Sequence, residues 1–186
     1  IEQEVVPVLR EQAEKRKEAL NLTGLKPWDM EVSTSGKAAL KPFNNGEELI
    51  DKSITCFTAI NSTLGEKLAI MKANGLFDVE SRKGKAPGGY NYPLAETGAP
   101  FIFMNSANSL RDLTTMVHEG GHAIHTFLTA DLELNDFKHC PSEVAELASM
   151  SMELISMDNW DVYFDNPEEL NRAKKEQLAD VLKTLP

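Results

Sequence analysis

No apolar run in this sequence approaches the ~18 residues that a membrane-spanning helix needs. Cysteine is scarce as well. Cys56 and Cys140 are far apart and form no C-x-x-C pattern, too few for a disulfide framework, so both are expected to be buried or idle thiols. Basic surface is also lacking: 19 Lys and Arg stand against 29 Asp and Glu, a formal net charge of −10. Phosphate binding needs the opposite sign, which excludes nucleic acid as the main partner. The first 22 residues are highly charged and contain no apolar core of the kind a signal peptide has. There is no internal repeat and no low-complexity tract. The chain starts without Met and stops just after a charged helical pattern, so both ends read as cut, and a piece of a longer protein is expected.

What is present fits a globular domain. With 186 residues and 41% hydrophobic content, the chain is long enough to bury a core. Periodicity predicts a charged amphipathic helix up to about Leu22, ended by Asn21 to Gly24, and no regular structure before Phe43. Asn44-Asn45-Gly46 supplies turn chemistry, followed by a helix to about Leu64 with Leu49, Ile50, Ile54, Phe57 and Ile60 at helical spacing. A short helix from Gly65 to Asn74 would present Leu68, Ile70 and Met71. Residues 81–97 are rich in Gly, Pro, Lys and Tyr and read as loop or irregular hairpin. Phe101-Ile102-Phe103-Met104 is the expected strand. Ser109 with Asp112 three residues on suggests a cap for a helix running to about Leu128. Ser142 is the expected N-cap of a helix to about Ser156, and a charged helix after Asn166-Pro167 ends near Leu182. The fold class is therefore mainly α, with a small β element before the motif helix.

The chemistry is concentrated in His118-Glu119-Gly120-Gly121-His122. Residues four apart on a helix share a face, so His118 and His122 can present two imidazoles to one metal ion. Glu119, beside the first imidazole, can take a proton from a metal-bound water without itself ligating. Zinc suits such a donor set and keeps one position open for water. Three of the four histidines, His118, His122 and His125, fall within eight residues. Gly120 and Gly121 each cost about 1 kcal/mol against Ala in a helix, which points to a close approach of backbone or substrate there, or else to a kink. A third ligand should come from a helix crossing the first, and Glu143, Glu146 and Glu153 are the candidates. Glu146, among Val144, Ala145, Leu147 and Ala148, is the least easily explained as solvated, whereas Glu143 suits the first turn through the helix dipole alone. Glu153 lies two turns along the same face as Glu146, which fits a supporting role or a solvated one.

The run His118 to His125 resembles the H-E-x-G-H-x-x-H signature of the M3 peptidases, the thimet oligopeptidase and oligopeptidase F group. Gly84 to Tyr90, Pro100 to Asn105, Ser142 to Ser149 and Leu25 to Asp29 are similar to further segments of that family, so the likeness covers most of the chain. The resemblance implies a helical, zincin-like metallopeptidase core holding one Zn2+, with His118, His122 and Glu146 as metal ligands and Glu119 as catalytic base. It implies a larger catalytic domain, of which 1–80 would be a helical part, 81–108 a Gly-rich loop and short strand, and 109–186 the zinc-binding helices. By the same resemblance a C-terminal remainder is expected to be missing: family members carry carbonyl-polarising Tyr and His in a Gly/Tyr-rich segment that does not follow Glu153, and Tyr163 stands alone. Turnover by this piece alone is therefore not implied. Short unfolded peptides would be the substrates, cut by a cytoplasmic metalloendopeptidase, with no nucleic acid or membrane partner and no indication of oligomeric state. His125 is expected to be structural, His139 a loop residue, and Ser149 either a hydrogen-bonding neighbour of the site or a packed serine. The strand Phe101 to Asn105 could pair with the substrate backbone, and Gly88-Gly89-Tyr90 could close over it. The alternatives are a zinc-binding homologue that holds peptides without cutting them, and a helical interaction module using Met116, Met150 and Met157.

Overall fold

A computed structural model describes residues 2–30 and 32–184, with side chains up to 180. The chain divides into two compact units, residues 41–170 and residues 1–40 with 171–186. In the smaller unit, α1 (Val5–Ala19) buries none of its residues, in keeping with its charged sequence. A single 3-10 turn, Pro27–Met30, occupies the stretch for which no regular structure was expected. Asp29 ties this turn together, its carboxylate accepting from the Lys26 N–H at 2.8 Å and its carbonyl from Arg16 Nε at 2.8 Å. Within the same unit, Ala173 and Gln177 of α6 (Pro167–Thr184) are buried.

The larger unit starts with α2 (Gly46–Ile60) and α3 (Ser62–Ala73). The break between them is earlier than periodicity suggests, because Asn61 adopts an extended conformation and its side chain accepts from the Thr63 N–H. Asn45 caps α2 in the same way, through the Glu48 N–H. The buried stripe of α2 includes Ser53 and Cys56 alongside Leu49, Ile50 and Phe57. Ser53 is satisfied by the Leu49 carbonyl and the Tyr163 hydroxyl at 2.7 and 2.9 Å. In α3, Leu68 and Met71 face inwards, whereas Ile70 is exposed.

The β element is larger than the one strand expected. β1 (Phe77–Glu80), β2 (Gly89–Leu94) and β3 (Ala99–Ser106) form a sheet in the order β1-β3-β2, with β1 parallel and β2 antiparallel to β3. Pro100, Ile102, Met104 and Ser106 alternate as the buried face of β3. The connection from β1 to β2 is held by Lys85, whose side chain is 1% exposed. It ion-pairs with Asp78 at 2.9 Å, donates to the Asp78 and Glu80 carbonyls, and lies over the Phe103 ring. Gly89 and Tyr90 belong to β2, so the expected covering loop is paired strand instead.

Next come α4 (Leu110–Thr129), α5 (Ser142–Ser156) and a 3-10 stretch, Met157–Val162. Ser109 and Asp112 form a complete capping box at the start of α4, as expected. At α5 the cap falls on Pro141 and lacks a side-chain hydrogen bond, which puts Ser142 inside the helix; the fixed φ of proline serves the start of a helix well. Leu113, Met116 and Val117 of α4, Ile102 and Met104 of β3, Leu49 and Phe57 of α2, and Trp160 form the core, each worth roughly 1.5–3 kcal/mol on burial. Met116 and Met157 are part of it rather than of a partner surface.

Glu48 braces the start of α2. Its carboxylate accepts from the Asn44 backbone and side-chain N–H at 2.8 and 2.7 Å and pairs with Lys52 at 2.8 Å. Lys52 and the Asn44 donors pull its pKa down from 4.5 to about 2. The folded value lies below the unfolded one, so this stabilisation is complete above about pH 4.5 and disappears as pH falls towards 2. Glu48→Gln should lower the urea midpoint at pH 7, and the gap from wild type should close across that acid window. A gap that is constant with pH in chemical-denaturation curves would exclude this account.

Candidate metal centre

α4 runs unbroken through the two glycines, so they do not mark a kink; they mark contacts. A Cβ on Gly121 would lie 2.8 Å from Ser149 Cα and 3.2 Å from the Ala148 carbonyl oxygen, both backbone atoms of α5. A Cβ on Gly120 would lie 2.7 Å from the ring tip of Phe57 on α2. Absence of a side chain at 121 thus allows α5 to cross directly on α4. This crossing brings two turns of α5, carrying Glu146 and Glu153, to the face that bears His118 and His122.

The donor atoms converge. His118 Nε2 lies 3.3 Å from Glu146 Oε2, and His122 Nε2 lies 3.7 Å from Glu146 Oε1. One ligand atom from each of the three residues lies within 4.8 Å of the other two. Zinc bonds of about 2.0–2.1 Å at tetrahedral angles separate neighbouring donors by about 3.3 Å, so this set fits one such ion and leaves a fourth position open. Glu143, the rival candidate, is exposed and is not part of the cluster.

Three carboxylates shape the field around the imidazoles. Glu153 Oε1 lies 2.6 Å from His118 Nδ1. Binding Nδ1–H in this way leaves the Nε2 lone pair to point at the shared position. Burial opposes charge on His118, but the Glu153 hydrogen bond and the charges of Glu119, Glu153 and Glu146 outweigh it and raise its pKa. His122 moves down, through burial and the neighbouring His118. Ser149 is buried and donates to the Glu146 carbonyl and carboxylate at 3.0 Å each, which restrains that side chain.

Glu119 is 7% exposed. Burial, reinforced by the charge of Glu146, raises its pKa, while His118 and the backbone N–H of Asn91 pull it down. The Asn91 contact ties the Glu119 carboxylate to strand β2, a link with no local signal in the sequence. Asn91 also reaches α4 at Thr126, whose hydroxyl donates to the His122 carbonyl.

Burial around Glu146 runs against the sequence reasoning. Its side chain is 50% exposed, and Val144 and Leu147 beside it are exposed too. Apolar neighbours on one helix do not bury a residue unless another element covers them. Tyr163 is remote from the cluster in function: it is fully enclosed beside Ser53, and burial pushes its hydroxyl pKa far up. Cys56 is buried and its thiol is pushed up to about 12, whereas Cys140 is exposed, with Sγ 4.0 Å from His125 Nδ1.

The family model for peptidase family M3 matches residues 1–185. The chain belongs to peptidase family M3. Among M3 relatives, an oligoendopeptidase F homolog of Lactococcus lactis subsp. lactis is 30% identical over 150 residues, 81% of this chain and 24% of its own length. The oligopeptidase PepF of Bacillus subtilis is 28% identical over 155 residues, 81% of this chain and 22% of its own length. A solved structure of PZ peptidase A with inhibitor 2 superimposes with a TM-score of 0.90 at 27% identity, covering all of this chain and 33% of that one. The chain thus spans about a quarter of the length of the curated M3 relatives it matches. No helix among the described residues is long and apolar enough to cross a membrane.

The two glycines give a test. Helix propensity alone would reward either Gly→Ala change by about 1 kcal/mol. At 121 the new methyl meets backbone that cannot turn aside, so Gly121→Ala should lower the thermal midpoint and weaken metal binding, with overpacking costing roughly 1–3 kcal/mol. Gly120→Ala meets only a ring tip and should retain metal better. Metal titration and thermal melts of the two variants check the order, and equal metal affinities would refute it.

Proposed function

We propose that this chain is the metal-binding core of a larger M3 catalytic domain, a cytoplasmic zinc metalloendopeptidase that cuts short, unfolded peptides. The observation carrying this reading is the convergence of His118, His122 and Glu146 beside a buried carboxylate, Glu119, that is not part of the donor set. A site meant only to hold metal for stability needs four protein ligands and no base. Zinc at this position would supply Lewis acidity and an acidified water.

The protein's own groups do the rest. Glu119, with its raised pKa, takes a proton from the attacking water and passes it to the departing amine nitrogen. Asn91 N–H keeps the carboxylate aimed, and Glu153 fixes His118 in one tautomer.

The substrate cannot pair with β3 as first expected, because β1 and β2 occupy both of its edges. β2 is the outer strand on the side of α4. Asn105 N–H donates to the Gly88 carbonyl, and in that register Gly89, Asn91 and Pro93 turn their carbonyls to the outer edge, where the Gly89 N–H is the remaining donor because Glu119 holds the Asn91 N–H and Pro93 has none. An extended peptide adding to this edge would lie against the strand that holds Glu119. Tyr90 and Tyr92, on the opposite face from Asn91, are exposed.

Glu119→Gln in the full-length protein should keep bound zinc and lose turnover by at least 100-fold, a loss within the range general acid–base catalysis supplies. Near-wild-type turnover with intact metal would remove Glu119 from this role. For the ligand set, Glu146→Ala should strip zinc and Glu143→Ala should not. Glu153→Ala should weaken zinc binding by about 10–100-fold, as loss of an outer-shell partner does. Atomic emission on the dialysed proteins reads all three, and zinc retained by Glu146→Ala would overturn the site.

A further inference from the structure

Beyond His122, along α4, a cleft of 230 Å³ opens between β2 and the turn before α5. Its walls are unlike the rest of this acidic molecule. His122, His125, Lys138 and His139 line it, and no carboxylate side chain does. Lys138, in the 3-10 turn Asn135–Lys138, is partly buried and makes no ion pair with any described residue. Most of the paired lysines have acidic neighbours on their own helix, as Lys15 and Lys52 do. On the strand wall, Asn91 Oδ1 is buried and has no hydrogen-bond partner among the described residues. The cleft therefore offers a cation and imidazoles, whereas the Asn91 oxygen is enclosed by protein.

An unpaired ammonium at the edge of a cleft in a chain of net charge −10 is matched by an anion that arrives with the substrate. Beside a metal centre that binds peptide, that anion is a carboxylate carried by the peptide segment. Resting on the peptidase reading above, we infer that this cleft is a specificity subsite, in which Lys138, assisted by His125 and His139, selects a substrate carboxylate close to the scissile bond. That carboxylate is either an Asp or Glu side chain or the free C-terminus of the peptide.

The test uses the zinc-loaded chain and fluorescein-labelled heptapeptides with Glu or Gln scanned through each position, C-terminus free or amidated, read by fluorescence anisotropy. Carboxylate peptides should bind on the order of tenfold more tightly than their neutral counterparts, the scale of one charge-assisted hydrogen bond. Lys138→Met should erase the difference while leaving bound zinc unchanged. Discrimination at an internal position assigns the side chain, and discrimination by amidation assigns the terminus. Equal binding of charged and neutral peptides, discrimination that survives Lys138→Met, or no binding of either peptide overturns the subsite. Hydrolysis is measured separately: zinc binding and selective peptide binding without cleavage by the full-length protein would remove the peptidase reading and leave the subsite standing.

Discussion

The candidate site depends on one contact, the crossing of α4 and α5 at Gly121. Two helices this close need a position without a side chain, because the facing atoms are backbone of α5 and cannot rotate away. Everything chemical follows from that distance. Glu146 reaches both imidazoles, Glu153 reaches the far nitrogen of His118, and Ser149, opposite the glycine, restrains the Glu146 carboxylate. A glycine in mid-helix is unfavourable locally, and the site accounts for its presence.

The second constraint is the position of β2. It pairs with β3 on one side and lies along α4 on the other, so one short strand links the sheet, the base and the cleft. Asn91 contributes to each: its backbone N–H holds Glu119, its side-chain amide reaches Thr126, and the residue lines the cleft. A single residue of an edge strand is thus tied both to Glu119 and, through Thr126, to the helix that carries the two imidazoles. The electrostatics agree. Carboxylates gather where a cation would sit, and cationic and imidazole groups gather in the cleft beside it.

Much of this was legible in the sequence. The H-E-x-x-H spacing places two imidazoles on one helical face whatever the tertiary fold, because a helix has a fixed period. Ser109 and Asp112 announced their capping box for the same local reason. Helices began where Asn45, Asn61 and Pro141 stood as N-caps, although the cap at Asn61 won over the longer apolar period and Pro141 displaced Ser142. The sheet was harder. Residues 88–94 open on two glycines and include Pro93, which reads as turn signal, and only pairing with β3 makes a strand of 89–94; β1 is four residues long and carries no signal of its own.

Sequence alone determined the local geometry of the motif helix, the mainly helical class and the short list of acidic partners, since all three follow from backbone periodicity and side-chain chemistry. Tertiary structure decided what lies against what. Burial of Glu146 was inferred from its neighbours along the helix, yet the residue is half exposed, because burial depends on which element covers a face and not on which residues flank it. Tertiary structure likewise gave Glu153 its histidine, made β3 an interior strand and β2 an edge strand against α4, and brought Lys138 and His122 to one cleft. Each of these joins positions far apart in the chain, where periodicity has no reach and only packing fixes the distance.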